Sequence, residues 1–89
     1  MRPEELKALN RALGGQARIL TRRGEVLIAT ILLVDEEFGD VLYGLVSTNQ
    51  PERYSGREKN SFCVPFEDIV AVEELEQAAT AKSLGVKNK

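Results

Sequence analysis

The feature that most constrains the fold is a nearly uninterrupted apolar run, Val26-Leu27-Ile28-Ala29-Thr30-Ile31-Leu32-Leu33-Val34, in a chain of only 89 residues. Side chains of a strand alternate between its two faces, and here both faces are apolar. So short a chain has room for one core, and a flat sheet would leave one face of this strand in water. We therefore expect a long strand that curves around the core, with its outer side covered by a helix or by another subunit.

Four further strands are predicted from apolar and β-branched segments bounded by turn residues. Gly24 closes a tight hairpin before the apolar run, and Gly44 is expected to mark a bend within the third strand. Residues 49–60 combine proline, glycine and alternating charges, which predicts an exposed, mobile loop. The five predicted strands span residues 16–22, 26–34, 41–48, 61–64 and 69–73.

A short amphipathic helix is predicted before the strands, over about residues 3–13. Pro3 suits the first helical position, and Gly14-Gly15 provides a left-handed stop. Its apolar stripe is Leu6, Leu9 and Leu13, which we expect to pack on an open end of the barrel. Residues 74–89 are expected to form a short C-terminal helix or tail. The prediction is one mainly β domain, residues 1–89, whose N-terminal helix precedes a five-stranded, strongly bent antiparallel barrel over about 16–73.

Composition and the chain's first residues exclude several classes of protein. The chain has 43% hydrophobic and 29% charged residues and no apolar run that could span a membrane. Acidic residues stand where an export signal needs an apolar stretch, so a cytoplasmic location is expected. Cys63 is the single cysteine, which rules out an internal disulfide. Its apolar neighbours favour a small hydrophobe in or near the core rather than a reactive thiol.

The chain lacks the residues and motifs that most enzymes use for catalysis. The chain has no histidine, no glycine-rich phosphate loop, no nucleophile motif and no cysteine cluster. We therefore expect no catalytic residues and no cofactor. The acidic residues between 35 and 40 lack the ligand spacing of a calcium loop. They are interpreted as a solvated turn, and no metal site is predicted.

The net charge of −2 conceals blocks of opposite sign along the chain. Residues 1–23 carry a net charge of +4, whereas residues 24–49 carry −5. Arg18, Arg22 and Arg23 fall in or just after the first strand, where they could meet RNA phosphates on one face. The alternative is that these charges are ordinary solvated groups on loops and helix faces.

Two stretches together with the order of elements resemble the Sm-like fold, a subset of the SH3-like small barrels. The first family motif ends in Asp-x-x-Met-Asn-x-x-Leu, and residues 35–42 fit it at Asp35, Phe38 and Leu42. The second has the form Ile-Arg-Gly-x-x-Ile-x-x-Ile, and residues 64–72 match its length and its apolar positions.

The resemblance implies where a nucleic-acid site would lie. In RNA-binding Sm-like proteins the loop Asn and the Arg-Gly pair line a central pore and hold a base. The corresponding region here contains Asp35, Phe38, Gly39, Pro65 and Phe66, which are the candidate RNA-binding residues together with the three arginines. Gly39 replaces the Asn, and Pro65-Phe66 replaces Arg-Gly, so the usual base pocket is not reproduced in these residue types.

Self-association is predicted because the apolar residues exceed what one small core can cover. In Sm-like rings the fourth strand of one subunit pairs with the fifth strand of the next. The resemblance therefore implies a homo-oligomer interface at Phe62, Val64, Ile69, Val70 and Val72. The alternative is a monomer whose outer apolar side chains are covered by terminal helices. The functional hypothesis is a non-enzymatic ring that binds single-stranded RNA, and its rival is an SH3-like module that binds protein without RNA.

Overall fold

The computed structural model describes residues 1–75. A helix, α1 (Pro3–Arg11), precedes five strands: β1 (Gln16–Thr21), β2 (Val26–Asp35), β3 (Asp40–Thr48), β4 (Ser61–Pro65) and β5 (Ile69–Glu74). Short 3-10 helices, Pro51–Tyr54 and Phe66–Asp68, lie in the last two connections between strands. The strands form one open antiparallel sheet in the order β4-β3-β2-β1-β5. The prediction of a mainly β fold with an N-terminal helix and five strands is confirmed.

The sheet is irregular along its two longest strands. The pairing of β2 with β3 shifts register between Ile28 and Ala29 and again between Ile31 and Leu33. A strand with an extra residue bends and twists more strongly, so these shifts curve β2 around the core. Gly44 pairs with Thr30 between the two shifts. A Cβ at Gly44 would meet no atom within 4 Å, so the predicted bend comes from the register shifts beside this glycine rather than from crowding at it.

The N-terminal helix is held at both ends by hydrogen bonds. The Arg2 backbone N–H donates to Glu5 Oε1 (2.8 Å), and the Arg2 guanidinium donates to Glu5 Oε2 (3.1 Å). The backbone hydrogen bond from Arg2 is the main reason that the pKa of Glu5 lies below its usual range. Gly14 adopts a left-handed φ of 83° after the helix, and its N–H donates to Ile31 O (2.8 Å). The predicted glycine stop thus also joins the helix end to β2.

The core lies between α1 and the concave side of the sheet. In β2 alternation buries Leu27, Ala29 and Ile31, whereas Leu32 and Leu33 are 45% and 50% exposed. The helix packs against β5 and β2, so it covers only part of the apolar strand. The buried hydrophobic residues are Ala8, Leu9, Ala12, Ala17, Ile19, Leu27, Ala29, Ile31, Val41, Tyr43, Tyr54, Val64 and Ile69.

The connection between β3 and β4 differs from its prediction. Residues 49–60 are predicted to form an exposed, mobile loop, but Tyr54 at the end of the 3-10 helix is only 3% exposed. Its ring packs edge-on against Phe62, with centroids 4.8 Å apart. The sequence pattern indicated a solvated loop because charged residues surround this single aromatic anchor.

Two predictions concern the C-terminal part of the chain. The strand predicted to end at residue 73 continues to Glu74, and the helix or tail predicted beyond it falls on residues 76–89, outside the described residues. Within residues 1–75 no helix combines the length and the apolar character that crossing a lipid bilayer requires.

Candidate functional site

The turn between β2 and β3 is built by Asp35. Its Oδ1 accepts the backbone N–H groups of Glu37 and Phe38, both at 3.0 Å, and its carbonyl oxygen accepts the Gly39 N–H at 2.8 Å. Gly39 has a φ of 77°, a left-handed conformation that side chains with a Cβ rarely adopt. The Asp35 carboxylate therefore stabilises its own turn, and Gly39 occupies the position of the turn that requires a left-handed backbone conformation.

A second turn meets this one. The Phe66 N–H donates to Gly39 O at 2.7 Å, and Asp40 is the sheet partner of Pro65. A Cβ added to Gly39 would lie 3.8 Å from the Phe66 ring. The fold thus brings together five predicted RNA-site residues, which we call the turn cluster: Asp35, Phe38, Gly39, Pro65 and Phe66. Within it, Phe38 is 84% exposed and Phe66 is half-buried.

The three candidate arginines do not form one basic face with the turn cluster. Arg18 pairs with Glu73 of the neighbouring β5, so its charge is partnered within the sheet. The Arg22 backbone N–H donates to Asp68 O (2.8 Å), which places the β1–β2 hairpin beside the β4–β5 turn. Arg23 lies in the same hairpin and is exposed. Only Arg22 and Arg23 therefore lie near the β4–β5 turn with unpaired guanidinium groups among the described residues.

The candidate interface residues divide between core and surface. Val64 and Ile69 are 6% and 5% exposed and belong to the core of the single chain. Phe62 and Val72 are half-buried and pack against that core, whereas Val70 is 48% exposed. Alternation explains the division, because Phe62 and Val64 share the inner face of β4. Of the five predicted interface side chains, Val70 is the one that offers substantial apolar surface to another copy.

Cys63 also differs from its prediction. It was expected in or near the core, yet it is exposed on the outer face of β4. Its neighbours Phe62 and Val64 are apolar, but they point to the opposite face of the strand. The apolar sequence context therefore gave the wrong location for this thiol.

The least expected feature is a buried carboxylate. Glu25 is 1% exposed, although it directly follows the glycine of the β1–β2 hairpin. Its Oε2 accepts the hydroxyls of Thr48 (2.7 Å) and Tyr54 (2.8 Å), and its Oε1 is paired with the Arg53 guanidinium. A buried charge is tolerated only when it is paired and hydrogen-bonded. We call Glu25, Tyr43, Thr48, Arg53 and Tyr54 the Glu25 network.

Two tyrosines extend this network. The hydroxyls of Tyr43 and Tyr54 lie 3.0 Å apart. Burial raises the pKa of both phenols above the usual value of 10.0, and for Tyr54 the hydrogen bonds to Tyr43 and Glu25 add to the increase. The two phenols are therefore protonated over the physiological pH range. No local pattern could have revealed the network, because its partners come from segments 23 to 29 residues away from Glu25.

A cleft of about 240 Å³ lies beside the Glu25 network. It opens between the β1–β2 hairpin, β4 and the β4–β5 turn, and Glu25 and Arg53 form part of its wall. Further lining residues are Thr21, Arg23, Leu27, Tyr43, Cys63, Val64, Pro65 and Asp68. The cleft therefore combines charged, hydroxyl and apolar surface in a small space.

Comparison with known proteins adds no assignment. No protein-family model matches the chain, and no curated protein matches it.

Proposed function

We propose that this chain is a non-enzymatic, Sm-like assembly module whose copies associate by pairing β4 of one copy with β5 of the next. The observation that supports it is the sheet order, in which β4 and β5 are the two edges of one open sheet. Along its free edge, each of these two strands has backbone N–H and C=O groups that no other strand of the sheet pairs with. One neighbouring copy pairs with these groups on β4, and another neighbouring copy pairs with those on β5.

The two edges are matched in length and differ in sequence. β4 has five residues and β5 has six, and only the 3-10 turn Phe66–Asp68 separates them along the chain. Pairing of two different edges is a head-to-tail contact, which forms a ring when the rotation between copies closes. The backbone carries this contact, because most of the predicted interface side chains are buried in the single chain. Val70, half exposed on β5, adds apolar area at the contact.

The single cysteine provides a direct test of the β4–β5 contact. Cys63 lies on the outer face of β4, and Ala71 and Glu73 lie on the outer face of β5, opposite Leu20 and Arg18 of β1. Residues that face each other across paired strands have Cβ atoms about 4.5 to 5.5 Å apart, close to the separation in a disulfide. Mild oxidation of Ala71→Cys or Glu73→Cys should therefore give a ladder of disulfide-linked multimers on a non-reducing gel.

Three controls make this experiment decisive. Replacing Cys63 with serine in the same variants leaves one thiol per chain, so the ladder should collapse to monomer and dimer. Ser47→Cys places a second thiol on the central strand β3, where it is exposed but away from both edges, and it should not give a ladder. Light scattering should give the mass of a closed oligomer. A monomer mass at micromolar concentration, or equal ladders from Ser47→Cys and Ala71→Cys, would reject edge pairing.

A second function, binding of single-stranded RNA, is supported by Phe38. This ring is 84% exposed in the turn cluster and directly precedes Gly39, the position to which the family resemblance assigns the base-binding Asn. An exposed ring can stack on a base, which contributes about 1 to 3 kcal/mol per base. Glu36 and Glu37 are exposed in the same turn and would repel phosphates, so weak, salt-sensitive binding is expected.

Titration with a short oligouridine at low and at physiological salt tests the RNA proposal. Phe38→Ala should weaken binding about tenfold or more, whereas Val46→Ala, an exposed apolar change on β3 outside the turn cluster and the proposed contact, should not. Glu36→Gln combined with Glu37→Gln should strengthen binding, because two like charges near the phosphates are removed. RNA binding that is absent, or unchanged in Phe38→Ala, would favour the alternative of an SH3-like module that binds protein only.

A further inference from the structure

The charges around the cleft beside the Glu25 network are not all used within the chain. The Glu25 carboxylate is paired with Arg53 and accepts two hydroxyl groups, so these two charges offset each other. Arg23 and Asp68 remain, one from the β1–β2 hairpin and one from the β4–β5 turn. In the described part of the chain, neither side chain takes part in an ion pair or a side-chain hydrogen bond.

The two unpaired charges are held near each other by the backbone. The hydrogen bond from Arg22 N–H to Asp68 O, at 2.8 Å, joins the hairpin to the turn directly beside them. Even so, Arg23 and Asp68 do not form an ion pair with one another among the ion pairs of residues 1–75. The cleft therefore presents one positive and one negative group that are both available to a ligand.

The rest of the cleft fits a small, partly apolar molecule. Leu27 and Val64, which are 1% and 6% exposed, form apolar wall, and the Thr21 hydroxyl, on a residue 7% exposed, lies among them. A volume of about 240 Å³ corresponds to roughly eight water molecules at about 30 Å³ each. That space suits a ligand of roughly eight to ten non-hydrogen atoms, smaller than most drug-sized molecules.

We propose that this cleft binds a free α-amino acid with a small apolar side chain. The carboxylate of the ligand accepts hydrogen bonds from Arg23, its ammonium group donates to Asp68, and its side chain contacts Leu27 and Val64. A simple anion would leave Asp68 unpaired, and a simple cation would leave Arg23 unpaired. A zwitterion pairs both charges, and charge-assisted hydrogen bonds of this kind are the stronger ones.

Titration of the unmodified protein tests the charge requirement without any change to the chain. L-Leucine should bind saturably with one site per chain in calorimetry. The same molecule without its ammonium group, 4-methylpentanoate, and without its carboxylate, 3-methylbutylamine, should each bind about tenfold or more weakly. Absence of saturable L-leucine binding, or equal binding of 4-methylpentanoate, would overturn the proposal.

Neighbouring residues supply matched variants that locate the site. Arg23→Gln and Asp68→Asn should each weaken L-leucine binding about tenfold or more. Arg22→Gln and Glu67→Gln change adjacent charges that do not line the cleft, and they should bind as the unmodified protein does. Circular dichroism on each variant confirms folding. Equal losses in Arg22→Gln and Arg23→Gln would show that the site lies elsewhere and would overturn the assignment.

Discussion

The turn cluster and the Glu25 network belong to the same small sheet, but contacts of different range hold them together. In the turn cluster, Asp35 accepts hydrogen bonds from residues two to four positions later along the chain. In the Glu25 network, the carboxylate is held by side chains 23 to 29 positions away. The first region is largely exposed and the second is buried. The comparison teaches that the exposed turn depends mainly on its own residues, whereas the buried network depends on the whole fold.

The largest expected effect comes from removing the carboxylate of the network. Glu25→Ala should lower the free energy of unfolding by about 3 kcal/mol, because it leaves the hydroxyls of Thr48 and Tyr54 without their acceptor in a buried site. Arg53 is 40% exposed on its side chain, so water limits the cost of its lost partner. Urea unfolding measures the change. The control is Glu52→Ala, which removes an exposed acid next to Arg53 in the β3–β4 connection. It should change stability by less than about 0.5 kcal/mol.

The second largest expected effect is a loss of folding stability when the pH is raised. The folded state holds the tyrosine protons more tightly than the unfolded chain, whose phenols titrate near 10.0. Stability from this source is therefore complete below about pH 10 and falls as the pH rises above it. Urea midpoints between pH 9 and pH 11 measure the loss. The Tyr43→Phe and Tyr54→Phe double variant should show a smaller decrease over the same range, and an unchanged decrease would contradict the assignment.

Removing one hydroxyl should cost less than removing the carboxylate. Tyr54→Phe preserves the ring that packs on Phe62 but deletes one of the two hydroxyl donors to Glu25 Oε2, so a loss of about 1.5 kcal/mol is expected from the lost hydrogen bond to a buried charge. Thermal unfolding followed by circular dichroism measures it. Unchanged stability in Tyr54→Phe would mean that the ring, rather than the hydrogen bond, stabilises this region.

The turn cluster should be the less sensitive region. Asp35→Ala removes the acceptor of two backbone N–H groups in an exposed turn, where water replaces it, so the expected cost is about 1 kcal/mol. Asp35→Asn retains an acceptor oxygen and should recover most of this loss. Urea unfolding of both variants tests the contrast. A cost above that of Glu25→Ala would reverse the comparison between the two regions.

The difference in sequence separation of these contacts also explains which parts of the structure could be predicted from the sequence. The apolar run, the turn glycines and the proline at the helix start act within a few residues, and the predicted helix and five strands are observed. The predicted turn residues Asp35, Phe38 and Gly39 do come together with Phe66. Periodicity on β4 and β5 was less informative, because an apolar edge strand has the same pattern whether its residues face the core or another copy. Val64 and Ile69 face the core, which local sequence could not decide.

The opening apolar run illustrates both contributions. The sequence alone determined that residues 26–34 form a long strand and that one small core cannot bury both of its faces, since side-chain alternation and chain length are properties of the sequence. Only the tertiary structure decided that register shifts curve this strand, that α1 covers part of it and that Leu32 and Leu33 are exposed. The burial of Glu25 beside the start of the run was likewise decided by distant partners. A charge enters a core only when the fold brings those partners to it.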